Sequence, residues 1–198
     1  MQSNEKSPAP PIKAGSTEEQ RAIAKMRALV PDAIPRVARQ VLTVTYSGGV
    51  DVVMGGVLTP AQAASEPVSI WFQAAQSCCY TLMMVDVDAP TAKDPWLRHW
   101  RHWLVVNIPS SCDVRAGDTI TEYSGPCPPR GTGLHRYAFL VYAQGTNRIS
   151  ERGRLRLDGP WPIQRGQVCV RPQLPRPPGC KLLPLRTTLA VKESKAGI

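Results

Sequence analysis

A chain of 198 residues has room for one domain with a sizeable core, and 42% hydrophobic against 20% charged residues fits a globular protein, not a disordered one. No apolar run reaches the ~18 residues of a membrane-spanning helix, and 20 prolines with 15 glycines favour strands and turns over a helical bundle. The net charge of +9 is uneven: residues 1–143 carry 13 Lys+Arg against 12 Asp+Glu, and residues 144–198 carry 11 against 3, so the basic excess belongs to the C-terminal segment and gives no reason to expect nucleic acid as a partner.

Residues 1–15 are polar and rich in Ser and Pro, which predicts a flexible N-terminus without the apolar stretch of a secretory leader. Cys78, Cys79, Cys112, Cys127, Cys169 and Cys180 contain no C-x-x-C pair of zinc type, and without a secretory leader reduced thiols and a cytoplasmic setting are expected. Ser16 opens a helix with Glu19 as capping-box partner; Ile23, Met26 and Val30 form its apolar face, and Pro31 and Pro35 end it. Strands are predicted at 41–46 and 50–54 about a Gly48-Gly49 turn, then at 68–72, 80–87, 103–108 and 137–143, with turns at Gly55-Gly56 and Thr59-Pro60. The run at 80–87 is apolar on both faces and should lie centrally. One helix and many short strands predict a mainly β, antiparallel β-sandwich over residues 16–143. Residues 144–198 mix arginines with seven of the prolines and keep no helix or strand period, so a disordered tail is expected.

Polar residues cluster at the strand ends. Asp86 and Asp88 are two apart and share a face if their strand continues. His102 starts the next apolar run, and His135 and Tyr137 start the one after. If these strands pair, carboxylates and imidazoles meet at one sheet edge; a carboxylate fixes an imidazole's orientation, and the other ring nitrogen can then grip an oxyanion. Pro128-Pro129-Arg130-Gly131-Thr132-Gly133 would shape a rim, and Trp100 and Trp103 would supply flat apolar walls, giving a small anion pocket.

The joint pattern of Asp86-Val87-Asp88-Ala89-Pro90, Lys93-Asp94-Pro95, Trp100-x-His102 and Gly133-Leu134-His135-Arg136-Tyr137 resembles the phosphatidylethanolamine-binding protein family, over about residues 25–143. The resemblance implies a β-sandwich with an edge pocket lined by Asp86, Asp88, Trp100, His102, Pro129, His135 and Tyr137, taking phosphate-bearing groups such as phospholipid head groups. It implies no catalytic activity, metal or cofactor; a protein kinase or other signalling partner, and peripheral membrane contact, are partners it allows. Val87 replaces the usual proline, which should loosen the turn before Asp88; Leu97 replaces an aromatic rim residue, and Cys127 replaces a glycine. The family's further strand and C-terminal helix find no counterpart after Gln144. Two other readings compete: a metal-dependent hydrolase using Asp86, Asp88, His102 and His135, which lacks a close ligand pair such as H-E-x-x-H, and an interaction protein acting through the Pro-x-x-Pro tail, as in Pro172-Gln-Leu-Pro175.

Overall fold

The computed structural model describes residues 16–27, 30, 41–52, 54–150 and 186–193, with backbone alone for 186–193 and for residues 18, 19, 22, 23 and 26. A helix, α1 (Thr17–Arg27), follows Ser16 as expected and ends a turn early; Lys25 Nζ donates to Met54 O at 2.8 Å and fastens it to the sandwich. The capping-box side chain of Glu19 lies outside the described residues.

Nine strands follow: β1 (Thr43–Tyr46), β2 (Val50–Asp51), β3 (Gly56–Val57), β4 (Ser69–Trp71), β5 (Cys79–Asp86), β6 (Trp100–Ile108), β7 (Asp118–Thr121), β8 (Leu134–Gly145) and β9 (Arg186–Glu193). They form a three-stranded sheet, β2-β1-β4, and a six-stranded sheet, β3-β9-β8-β5-β6-β7. Every pairing is antiparallel except the short parallel contact of β3 with β9. The glycine turn joins β1 to β2 as predicted; Gly48 and Gly49 take φ of 73° and 69°, a backbone open to glycine without strain.

β5 lies between β6 and β8, where its two apolar faces can both be covered. One face places Leu82 and Met84 with Trp103, Val105, Phe139 and Val141 against Leu42, Val44, Tyr46, Ile70 and Phe72 of the smaller sheet and its flanks. Each such side chain fully buried is worth about 1.5–3 kcal/mol, so this inter-sheet layer dominates the stability. Trp103, expected as a pocket wall, belongs to this core and meets Tyr123 edge-on at 5.3 Å.

Three departures bear on the site. β6 begins at Trp100, three residues before the apolar run, because a polar segment can pair while its side chains meet solvent and site. Of Gly55-Gly56, read as a turn, Gly55 keeps the turn with φ of 72° and Gly56 starts β3. After Gln144 the chain does not lose its order at once: Ile149 N–H donates to Asn107 Oδ1 at 2.7 Å and Ile149 O accepts from Asn107 Nδ2 at 3.0 Å. The tail also supplies β9, which pairs with β8 from Leu134↔Glu193 to Val141↔Arg186, where no strand was expected. Thr187, Thr188 and Val191 carry β-branched side chains suited to a strand, a signal masked by the surrounding prolines and arginines. The rest of the predicted disordered tail, 151–185 and 194–198, lies outside the described residues.

Candidate functional site

Strand register builds the site. Asp86, the last residue of β5, stands opposite Trp100 on β6 and Tyr137 on β8, so the three share a face. His135 lies two residues before Tyr137 and joins that face. His102 arrives differently. On β6, Arg101 pairs with Val85 and Trp103 with Met84, leaving His102 as the extra residue of a bulge. The bulge turns its ring edge-on to Tyr137, with centroids 5.1 Å apart, while His135 stacks beside Tyr137 at 6.5 Å.

Hydrogen bonds fix the charges. His135 Nδ1 lies 2.7 Å from Asp86 Oδ2, and the other Asp86 oxygen accepts the Asp88 N–H at 2.8 Å. Burial holds the Tyr137 hydroxyl in its protonated form, pushing its pKa well up; the Asp86 charge and the hydrogen bond that Asp86 takes from it push the same way. On the far side of the His135 ring, Nε2 lies 2.8 Å from Thr132 Oγ1, whose hydroxyl also donates to Pro129 O at 2.7 Å. His102 Nδ1 lies 2.8 Å from Ser124 O, and Ser124 N–H returns a bond to His102 O at 2.8 Å. A carbonyl only accepts, so Nδ1 carries the hydrogen. Burial lowers the pKa of His102; the Ser124 carbonyl and the Asp86 charge oppose that shift, and His135 adds to it.

The structure therefore brings Asp86, His102, His135 and Tyr137 together. Trp100 flanks them, 46% exposed, and Pro129 reaches the cluster through its carbonyl on Thr132. Asp88 joins them only through its backbone N–H, and its carboxylate turns elsewhere. Its Oδ2 accepts both the backbone N–H and Nε of Arg136 at 2.8 Å, its Oδ1 pairs with the same guanidinium, and Arg98 stands 4.0 Å away. β5 ends at Asp86, so the face-sharing rule no longer governs the residue two further on. Nor is the turn loosened by Val87: its N–H donates to Arg136 O at 3.0 Å, a bond proline has no hydrogen to make, and its carbonyl accepts Arg98 Nε at 2.7 Å. Cys127 is exposed and near enough to Tyr137 to influence its hydroxyl, and Leu97 is half-buried with its N–H on Ala89 O at 3.0 Å.

Beneath Tyr137 a cavity large enough for about one water is lined by Tyr46, Leu58, Thr59, Ala63, Met84 and Pro126. Among the described residues, no group of three or more His, Cys, Asp or Glu is placed to hold a metal ion. The sequence reading assigned no part to Ser124, Arg136 or the hydroxyl of Thr132. Ser124 acts through its backbone and has no side-chain signal; Arg136 was visible only as a motif letter.

A mainly β sandwich whose central strand ends in a carboxylate clasped by His and Tyr from the next strand is the architecture of a binding domain built at a sheet edge. The chain belongs to the phosphatidylethanolamine-binding protein family, whose sequence profile matches residues 48–168. That match starts later than the resemblance read from the motifs and runs beyond residue 143, consistent with the ordered residues after Gln144. The chain is 37% identical over 127 residues to the candidate odorant-binding protein A5 of Drosophila melanogaster, covering 64% of this chain and 60% of that protein's length. Among solved structures, a phosphatidylethanolamine-binding protein of Plasmodium falciparum is 26% identical with a TM-score of 0.54, over 63% of this chain and 71% of its own. A carboxypeptidase Y inhibitor, solved with its cognate proteinase, shares the fold at TM-score 0.64 and 21% identity, over 89% of this chain and 97% of its own.

Proposed function

We propose that the cluster of Asp86, His102, His135 and Tyr137, with Trp100 and Pro129 at its rim, binds phosphate-bearing ligands such as phospholipid head groups, and that the protein acts in the cytoplasm as a binding protein or signalling regulator and not as an enzyme. The observation that carries this reading is the convergence of two imidazoles and a phenol on one buried carboxylate at a sheet edge, from three different strands. Family membership supports ligand binding at large, and the Plasmodium relative is named for phosphatidylethanolamine. Against a base role for Asp86 or His135 stands their saturation: Asp86 is held by His135, Tyr137 and the Asp88 N–H, and both nitrogens of His135 have partners. A general base needs an open lone pair aimed at the proton it removes. A membrane surface or signalling protein would meet the site at its mouth, where Trp100 is exposed.

Titration of the 15N-labelled protein with phosphoethanolamine tests the reading. The ring resonances of His102 and His135 should move together and saturate; if both stay still at millimolar ligand, the site is not an anion pocket.

A further inference from the structure

Resting on that reading, we infer that His102 makes the site selective for ligands that bring a hydrogen of their own: inorganic phosphate, or a phosphomonoester in its singly protonated form, in preference to sulfate and to phosphodiesters lacking a donor.

The geometry of His102 carries the inference. Its Nδ1–H is committed to Ser124 O at 2.8 Å, and the return bond from Ser124 N–H locks ring and backbone together. Among the described residues, Nε2 of His102 has no hydrogen-bond partner, though the residue is only 7% exposed. The ring is neutral at neutral pH because burial disfavours its charge, so Nε2 presents a bare lone pair. The groups around it offer that lone pair nothing. From β5, Asp86 is an acceptor. From β8, His135 Nδ1–H and the Tyr137 hydroxyl are both turned to Asp86. In the loop before β8, the Thr132 hydroxyl gives its single hydrogen to Pro129 O, and its oxygen lies against His135 Nε2. The Asp88 charge is taken up by Arg136.

A fully deprotonated oxyanion would set its lone pairs against that of Nε2 and against the Asp86 charge. A P–OH group replaces the first repulsion with a hydrogen bond. Inorganic phosphate keeps a P–OH in both its singly and doubly charged forms. A monoester loses its last one above a second pKa of about 6. Sulfate has none at neutral pH, and a diester has none at all; a diester head group satisfies Nε2 only through a donor elsewhere, such as its ammonium.

The full-length chain, labelled with 15N, is titrated near pH 7 with inorganic phosphate, methyl phosphate, dimethyl phosphate and sodium sulfate. Affinities are read from the histidine resonances, and the Nε2 shift of His102 reports its protonation. Sulfate and dimethyl phosphate should bind about tenfold or more weakly than phosphate, the scale of one lost hydrogen bond to a charged partner. Between about pH 6 and 8, methyl phosphate should lose about tenfold per pH unit, while inorganic phosphate does not follow that slope; this separates an ester ligand from the free ion. His102 Nε2 should keep the shift of an unprotonated nitrogen in the phosphate complex. Sulfate binding within about threefold of phosphate, or conversion of His102 to imidazolium on binding, overturns the inference and leaves the anion pocket standing. If none of the four probes binds, the pocket itself fails and the inference with it.

Discussion

Asp86 and Asp88 carry the same side chain two residues apart, and the end of β5 between them separates their roles. Asp86 is still in register and collects a histidine, a tyrosine and a backbone N–H; Asp88, past the strand, turns to Arg136 and Arg98. The Asp88 carboxylate is 1% exposed, so it depends on those cations. Breaking a buried pair from one side leaves an uncompensated charge and costs about 3–5 kcal/mol. Arg136→Met should destabilise the protein on that scale in urea unfolding, and adding Asp88→Asn should recover part of the loss, because the stranded charge is removed. Additive effects would show that Asp88 does not rely on Arg136. The motif letters in the sequence located these residues, but they could not distinguish a carboxylate that orients an imidazole from one that anchors a turn. That distinction depends on where the strand stops.

At the scale of elements, the site depends on how the Ser124 segment lies along β6. Ser124 grips the His102 backbone and ring at once, and the next residue, Gly125, fits only because it has no side chain. A Cβ there would fall 2.8 Å from Ala63 O, 3.0 Å from Ala64 O and 3.1 Å from Ala64 Cα, all backbone atoms that cannot swing aside. Gly125→Ala should cost about 1–3 kcal/mol by overpacking and shift the His102 ring resonances as the Ser124 carbonyl moves off Nδ1. An unchanged His102 spectrum would mean that Gly125 does not set this contact. The strands of the sandwich were legible because short continuous apolar runs bounded by turn residues survive in β5, β6 and β8. The bulge that aims His102 was not, since a bulge exists only relative to a partner strand. β7, only four residues long, has no run to detect, and β9 sits in a context that reads as tail. The Ser124 carbonyl, which sets the tautomer of His102, belongs to the backbone that every residue shares.

For the molecule as a whole, the buried neutral imidazole couples stability to pH. The folded state lowers the pKa of His102 from its ordinary 6.5, chiefly by burial. Between the lowered value and 6.5 the unfolded chain binds the proton that the folded chain refuses, so stability rises with pH across that interval. The contribution is fully present above about 6.5 and is lost as pH falls toward the folded value. Urea midpoints should therefore be level from about pH 8 to 7 and decline below about 6.5. In His102→Gln the midpoint should be lower at neutral pH, where the Nδ1 bond to Ser124 is lost, but its decline on acidification should be shallower. Inorganic phosphate at about a hundredfold its Kd should add about 2.7 kcal/mol to the wild type, and sulfate at the same concentration much less. A decline of equal steepness in both proteins would assign the acid loss to groups other than His102, and equal stabilisation by the two anions would remove the selectivity argued from its bare Nε2.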